Sequence, residues 1–140
     1  MRFLGLDLGT KTLGIAISDV TNTLATPMTT WIFEEGNYGS LLPKLKQLVS
    51  DENIGIIVLG LPKNMNNTLG SRAEETIKFK ENLEKYVNIK VVLQDERLST
   101  IEAENYMLEA DLSRKKRKKK IDGLAAAIIL QTYLDKMRGR

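Results

Sequence analysis

Residues 2–18, RFLGLDLGTKTLGIAIS, contain the pattern from which the fold of this protein is predicted. This stretch contains two short apolar runs, 2–8 and 13–18, of the kind that form β-strands, with Gly9-Thr10-Lys11 as the turn between them. Because so short a connection leaves no room for a crossover helix, the two runs predict an antiparallel β-hairpin.

Further strands and helices are predicted outward from this hairpin. Segment 24–33 is rich in threonine and contains Pro27, which an edge strand tolerates. Ser71 and Glu74 have the spacing of a helix-capping box. The predicted order is strand 24–33, helix 40–49, strand 54–59, a loop at 60–70, a helix from 71, strand 89–93, helix 99–109 and helix 121–137. This order predicts one α/β domain over residues 1–140, with a mixed sheet covered by helices.

The composition restricts the chemistry that is open to the protein. Its 140 residues include neither histidine nor cysteine. This excludes Ser-His-Asp triads, histidine bases, cysteine nucleophiles, thiolate zinc sites and disulfides. Carboxylates, lysines, arginines, hydroxyls and backbone groups must then carry any catalysis, and Mg²⁺ or Mn²⁺ become the expected cofactors.

The hydropathy pattern indicates where the protein works. No apolar segment approaches the roughly 18–20 residues of a membrane span, and Gly5 and Asp7 interrupt the first apolar run, which makes it a poor signal peptide. The absence of cysteine fits a reducing compartment. We therefore expect a soluble cytoplasmic protein without a membrane partner.

Positive charge is concentrated in one segment. Residues 114–120 read RKKRKKK and belong to a predicted basic loop at about 111–120. The whole chain has a net charge of +3, whereas the chain without these seven residues has 14 basic against 18 acidic side chains. Such a run is typical of a solvated loop or of an arm that binds an anionic polymer.

Acidic residues lie at the ends of two predicted strands. Asp7 interrupts an apolar strand, and its same-face neighbours Gly5 and Gly9 would leave open space above it for an ion or a phosphate. The alternative for Asp7 is an ordinary turn-capping role. Asp95 and Glu96 end another strand and point to opposite faces, so only one is expected to join Asp7, unless both are simply solvated.

A further acid, Asp122, lies in the predicted first turn of the last helix. An acid there stabilises the helix by roughly 0.3–1 kcal/mol through its interaction with the helix dipole. This stabilisation is by itself a sufficient reason for an acid at that position. Ala125 and Ala126 share its predicted face, however, and would let the helix approach the sheet. Acids gathered in this way repel one another unless a divalent cation joins them, so their grouping favours a metal site.

Four segments resemble, in order, the signature blocks of the YqgF/RuvX family. They are GLDLGTKTLGIAISD (5–19), GLPKNMNNTLGSRA (60–73), DERLST (95–100) and KIDGLAAAIILQTYL (120–134). The family is described as pre-16S ribosomal RNA nucleases related to Holliday-junction resolvases. The resemblance spans nearly the whole chain. It implies a ribonuclease H-like fold, with a five-stranded mixed sheet that begins in an antiparallel hairpin and is flanked by helices.

The resemblance also implies a catalytic site. Asp7, Glu96 and Asp122 correspond to the acids of a two-metal nuclease centre, with Glu96 rather than Asp95 facing the Mg²⁺ or Mn²⁺ ions. The implied reaction is hydrolysis of a phosphodiester by a metal-activated water, while the ions also stabilise the leaving 3′ oxygen. The implied role is maturation of the 5′ end of 16S rRNA in a bacterial cytoplasm, by a monomer or a homodimer.

The chain departs from the family pattern in two places. Asn66-Asn67 replace a frequent Asp-Gly, which bears only on the shape of that loop. Ala125 stands where resolvase relatives often carry a second acid. Generic nuclease chemistry is therefore favoured over cleavage of branched DNA, which stays an alternative.

Basic and amide side chains are the predicted nucleic-acid contacts. The run 114–120 directly precedes Asp122 and would bring the nucleic acid backbone to the metals. Trp31 and Tyr38 either stack on bases or pack internally. The predicted contacts are Lys11, Lys63, Asn64, Arg97, Arg114, Lys115, Lys116, Arg117, Lys118, Lys119 and Lys120. For Lys11, Lys63 and Asn64 a solvated loop position is slightly favoured over a phosphate contact. For Arg97 an ion pair with a site acid is favoured at least as much as a phosphate contact.

Two other functions are compatible with parts of the sequence. DLGT (7–10) followed by GIA (14–16) resembles the first phosphate-binding hairpin of actin-like ATPases and sugar kinases, but those enzymes bind ATP between two such domains and this chain offers one. The second alternative is a non-catalytic RNA-binding or ribosome-assembly module with the same fold and acids.

Neutralising the basic run is expected to weaken nucleic acid binding. Replacement of Lys115, Lys116, Lys118, Lys119 and Lys120 by glutamine removes charges that would displace counterions from phosphates, so the salt dependence of the dissociation constant becomes flatter. The measurement is a binding titration at several salt concentrations. A salt slope equal to that of the wild type would exclude the run from the binding surface.

Overall fold

The computed structural model describes residues 1–62, 70–95 and 122–139. These residues form five strands and three α-helices, together with a single 3₁₀ turn at Tyr38–Ser40. The elements in chain order are β1 (Arg2–Leu8), β2 (Thr12–Ser18), β3 (Ala25–Ile32), α1 (Leu41–Asp51), β4 (Ile54–Leu61), α2 (Ser71–Val87), β5 (Lys90–Asp95) and α3 (Leu124–Met137).

The strands form one mixed sheet in the order β3-β2-β1-β4-β5. β1 pairs with β2 antiparallel, and β2 pairs with β3 antiparallel, which confirms the predicted hairpin and places β3 at an edge of the described sheet. β4 joins the other side of β1 in parallel, and β5 joins β4 in parallel. The predicted five-stranded mixed sheet is therefore confirmed.

Some predicted boundaries differ from those in the structure. α2 begins at Ser71, but its N-cap residue is Gly70, whose carbonyl accepts the backbone N–H of Glu74, so the predicted capping box at Ser71 is wrong. α3 begins at Leu124 rather than at 121, because Gly123 before it adopts a left-handed conformation. The predicted helix 99–109 lies outside the described residues.

The two faces of the sheet carry different helices. On β1, the buried Leu4, Leu6 and Leu8 pack into the cluster that contains side chains of α1 and α2. Phe3 belongs to the cluster built on α3, on the opposite face. Because strand side chains alternate, Gly5 and Asp7 lie with Phe3 on the α3 face.

α3 lies directly on β1 because Gly5 has no side chain. A Cβ atom placed on Gly5 would lie 2.7 Å from Cβ of Leu130 and 2.8 Å from the backbone oxygen of Ala126. A polar contact then fixes α3 against β3, since the buried Gln131 accepts the backbone N–H of Ala25 at 2.9 Å and donates to the carbonyl of Thr23 at 3.0 Å. Of the described helices, none is both long and apolar enough to cross a membrane.

We expect Gly5→Ala to lower the free energy of unfolding by about 1–3 kcal/mol, because the added methyl group would push α3 away from the sheet. Urea denaturation measures the change. Gly39→Ala is the matched control, since among the described residues no heavy atom lies within 4 Å of a Cβ placed there. Equal stabilities of the two variants would contradict the close approach of α3.

Candidate functional site

Asp7 lies near the end of β1, where the α3 face of the sheet meets the solvent. It is half-buried, and its strand partner in β2 is Gly14. A Cβ atom placed on Gly14 would lie 3.6 Å from Cβ of Asp7 and 3.7 Å from Cβ of Ala126. The missing side chain of Gly14 therefore leaves space between Asp7 and the start of α3.

A small cavity of about 40 Å³ occupies this space. Its size suits a few water molecules or one ion. Three of its lining residues carry side-chain oxygen atoms, which are the ligands that Mg²⁺ and Mn²⁺ prefer. The cavity is lined by Asp7, Thr12, Gly14, Thr30, Gly123, Leu124, Ala125 and Ala126.

The sequence predicted open space next to Asp7 at its sequence neighbours Gly5 and Gly9, but the structure has this space at Gly14 of β2. Gly5 contributes none of it, because Leu130 and Ala126 of α3 fill the region next to it. Gly9 contributes none either, since a Cβ there would lie 3.1 Å from Oγ1 of Thr12. That prediction is wrong in its detail, because the space comes from the neighbouring strand rather than from the strand of Asp7.

The turn that contains Asp122 is held against the edge of the sheet. Gly123 has φ +82°, and a Cβ placed on it would overlap the carbonyl oxygen of Ile15 and lie 3.0 Å from the backbone nitrogen of Met28. Its backbone N–H donates to Oγ1 of Thr30 at 3.1 Å. Only glycine fits this position, so the turn fixes the backbone directly beside the exposed Asp122.

The placement of Asp122 differs from the prediction. The residue lies in the turn before α3, not in its first helical turn, because the helix begins at Leu124. Ala126 is buried against the sheet as predicted, whereas Ala125 is exposed and so does not share that contact. The helix does approach the sheet, but through Ala126 and Gly5.

Asp95 lies on the opposite face of the sheet from Asp7. On β5, Val91 is buried and Leu93 is partly buried in the cluster of α1 and α2, and strand alternation puts Asp95 on that same face. Glu96 lies outside the described residues. In the described part of the chain, no three acids form a cluster that could hold a metal ion.

The predicted nucleic-acid contacts are mostly outside the described residues. This holds for Lys63, Asn64 and Arg97 and for the run 114–120. Lys11 is described. It is an exposed side chain whose Nζ lies 3.9 Å from Oε1 of the equally exposed Glu35, a separation at which an ion pair contributes little.

The two aromatic candidates have packing contacts. Trp31 is partly buried against the core, and Nζ of Lys44 lies 5.6 Å from the centre of its ring. Tyr38 packs against Phe33 and Phe79, with ring centres 5.8 and 6.2 Å away. Both residues therefore have the contacts that the packing alternative requires, and stacking on bases stays a prediction.

Sequence reasoning missed several residues around the site. Arg72, at the start of α2, donates from Nη2 to the carbonyl oxygen of Leu8 at 2.7 Å and so holds the end of β1. Gln94 is 2% exposed, and its Oε1 has no hydrogen-bond partner among the described residues. A glutamine inside the apolar strand KVVLQD is a signal that could have drawn attention to it. Thr30 has no such signal, because its role depends on Gly123, 93 residues later.

Comparison with known proteins gives a consistent result along the chain. The model of the family RuvX, described as Holliday junction resolvase, matches residues 1–136. A protein of Geobacillus kaustophilus, named "Putative pre-16S rRNA nuclease", is 51% identical over 99% of this chain and 100% of its own length. A relative with the same name from Thermoanaerobacter pseudethanolicus is 44% identical, with both chains fully covered.

A solved structure extends the comparison to the fold. RuvC of Thermus thermophilus, in complex with a Holliday junction substrate, superposes with a TM-score of 0.68 at 13% identity, over 99% of this chain and 96% of that chain. At this identity the likeness concerns the fold, and it confirms the expected ribonuclease H-like architecture.

We expect Gly123→Ala to destabilise the protein by about 2 kcal/mol or more. An alanine there combines a strained positive φ with overlap against the backbone of β2. Thermal unfolding measures the loss. Gly36→Ala separates the two causes, because Gly36 has φ +78° but, among the described residues, no atom within 4 Å of an added Cβ. If both variants lose the same stability, the contact with β2 contributes nothing.

Proposed function

Because this chain belongs to the RuvX family, we propose that it is a nuclease that hydrolyses phosphodiester bonds in nucleic acid and matures the 5′ end of pre-16S rRNA in the bacterial cytoplasm. The match of the family model over residues 1–136 confirms the resemblance carried by the four sequence blocks. The full-length relatives named as pre-16S rRNA nucleases support the choice of substrate.

The cavity next to Asp7 is the structural feature that supports this proposal most directly. The half-buried carboxylate of Asp7 lines a small cavity together with the hydroxyl-bearing residues Thr12 and Thr30, and the Asp122-Gly123 turn is fixed at its rim. These residues fit a hard divalent cation, because one carboxylate residue and two hydroxyl residues line a space large enough for an ion. The absence of histidine and cysteine from the chain is consistent with the same chemistry.

We assign the metal-binding and catalytic roles to Asp7, Glu96 and Asp122. Asp95 is the weaker candidate because it lies on the face of β5 opposite to Asp7. A bound Mg²⁺ or Mn²⁺ supplies a Lewis acid that activates water and neutralises the charge of the departing 3′ oxygen.

The protein's own contribution is to fix the backbone at Asp7 and beside Asp122 before substrate arrives. Asp7 is fixed by its strand, and the carbonyl next to it, that of Leu8, accepts from Arg72. Asp122 is positioned through the anchored backbone of Gly123. Because the backbone is fixed, repulsion between the acids moves them apart less. Binding of the ion then requires less rearrangement of the site.

The basic segment at about 111–120 is the proposed binding surface for the nucleic acid backbone, with Lys63, Asn64 and Arg97 as additional contacts. Without that segment the chain has a net negative charge. In this proposal the basic segment binds the phosphates of the substrate, and acidic residues of the rest of the chain hold the metal. Lys11 is exposed beside the end of β1 and is free to leave Glu35 for a phosphate, because their contact is long and solvated.

A second candidate function is cleavage of branched DNA, either by a monomer or by a homodimer. It is favoured by the description of the family as Holliday junction resolvase and by the fold likeness to RuvC. Ala125 at the rim of the cavity favours the RNA substrate instead, because many resolvase relatives have an acid there. Parallel assays with a pre-16S rRNA fragment and a synthetic four-way junction distinguish the two.

We expect Asp7→Asn to abolish Mg²⁺-dependent cleavage while nucleic acid binding persists. The amide has the same shape as the carboxylate but lacks the charge that holds the ion, so Mn²⁺ measured by calorimetry should also bind more weakly. Cleavage of labelled pre-16S rRNA fragments and a binding titration are the two measurements.

Asp51→Asn is the matched control for this variant. It removes the same charge from an exposed residue at the end of α1. The end of α1 lies near the first residues of β1, whereas Asp7 lies near the last. The Asp51→Asn variant should therefore cut like the wild type. Cleavage by Asp7→Asn at the wild-type rate would overturn the catalytic assignment. Binding without cleavage by the wild-type protein would favour the non-catalytic RNA-binding module, and tight binding of ATP with Mg²⁺ would favour the ATPase alternative.

A further inference from the structure

A second concave site lies on the other face of the sheet, between α2 and the segment that connects β3 to α1. We call it the α2 groove, and its volume is about 340 Å³, which is within the range of small-ligand pockets. The residues that define its chemistry are Asn37, Tyr38, Leu42, Lys78, Phe79 and Asn82.

The floor of the groove is aromatic and held in place. Phe79 is 3% exposed, and the ring of Tyr38 meets it edge-on. The hydroxyl of Tyr38 donates to Oε2 of Glu75 at 2.6 Å, and this hydrogen bond raises the pKa of Tyr38 above its usual value. This hydrogen bond and the contact with Phe79 hold the half-buried ring of Tyr38, which also lines the groove.

The rim of the groove is polar and offers both kinds of hydrogen-bonding group. The side-chain amides of Asn37 and Asn82 each contain donors and an acceptor, and Lys78 adds a positive charge. The carboxylate of Glu75 also lines the groove, where it accepts the hydrogen bond of Tyr38. A planar ring with donors and acceptors on its edge, attached to a phosphate, matches this combination. Nucleobases of single-stranded nucleic acid are bound in this way, by stacking on aromatic rings and by hydrogen bonds to their edges.

Both walls of the groove are attached to the residues that directly follow Asp7. On one side, Phe33 and Gly36 donate their backbone N–H groups to the carbonyls of Lys11 and Thr10, at 2.8 and 3.1 Å. On the other side, Arg72 of α2 donates to the carbonyl of Leu8 at 2.7 Å. Hydrogen bonds therefore join both walls of the groove to the end of β1, on the face of the sheet opposite to Asp7.

We propose that the α2 groove binds an unpaired nucleobase of the same nucleic acid strand that is cut at Asp7. This inference rests on the proposed nuclease function and adds a site that selects single-stranded over fully paired substrate near the cleavage point. Tyr38 then serves both roles that the sequence left open, since its ring packs on Phe33 and Phe79 and the residue also lines the groove.

The direct test uses nucleotides and needs neither metal nor cleavage. Uridine and adenosine 5′-monophosphate are titrated into the ¹⁵N-labelled protein, and the side-chain amide signals of Asn37 and Asn82 are followed by NMR. We expect saturable shifts. Ribose 5-phosphate, which has the sugar and the phosphate but no base, should leave those signals in place. Equal shifts with ribose 5-phosphate would mean that only a phosphate binds near Lys78 and would overturn the proposal.

A variant that fills the groove tests its role with the full substrate. Gly39→Leu places a side chain at the rim, where a Cβ has, among the described residues, no atom within 4 Å, so the fold should tolerate it. We expect KM for a pre-16S rRNA fragment to rise about tenfold, as for loss of one stacked base, with kcat unchanged. Asn82→Ala should raise KM in the same direction. Gln47→Leu, on the exposed side of α1, is the matched control.

The outcomes separate this inference from the proposed function. If Asp7→Asn is inactive but both groove variants keep the wild-type KM and the nucleotides cause no base-dependent shift, the base site is wrong and the nuclease stands. If Asp7→Asn cuts like the wild type while the nucleotides still shift Asn37 and Asn82, the base site stands and the catalytic assignment is wrong.

Discussion

The close contact between α3 and the backbone of β1 sets the positions of the elements around Asp7. Gly5 permits it, since any side chain there would meet Leu130 and the carbonyl of Ala126. With α3 seated at this depth, Gly123 reaches the backbone of β2 and the hydroxyl of Thr30 on β3. The cavity beside Asp7 is the space left between these surfaces, so its shape is set by backbone packing rather than by long side chains.

The end of the first hairpin strand is the point at which the separate parts of the molecule meet. Asp7 faces α3, while the carbonyls of the next residues, Leu8, Thr10 and Lys11, accept hydrogen bonds from α2 and from the segment after β3. The catalytic candidate on one face and the walls of the groove on the other are therefore linked to the same few consecutive residues. A shift of this short turn would change the geometry of both the cavity beside Asp7 and the α2 groove, because packed and hydrogen-bonded elements move together.

Much of this arrangement could be predicted from local sequence. The features that could not be predicted depend on contacts between distant parts of the chain. The hairpin, the edge strand with Pro27 and the parallel strand at Ile54–Leu61 are predicted by apolar runs and turn chemistry, which are local properties. Asp7 stands out because a charge inside an apolar strand is unusual. The start of α3, the exposure of Ala125 and the use of Thr30 depend on contacts between residues far apart in sequence. Periodicity carries no information about such contacts.

The distance in sequence between the parts of the cavity has a consequence for the timing of folding. Thr30 and Gly123 are 93 residues apart, and the contact of Gly5 with Leu130 spans still more of the chain. Chains emerge from the ribosome N-terminus first, so the hairpin and the α1–α2 layer are available for folding well before α3 exists. Until α3 docks, Gly5 is uncovered and the cavity has no roof. A nascent chain is therefore expected to acquire this cavity, and with it the proposed catalytic site, in one of the last steps of its folding.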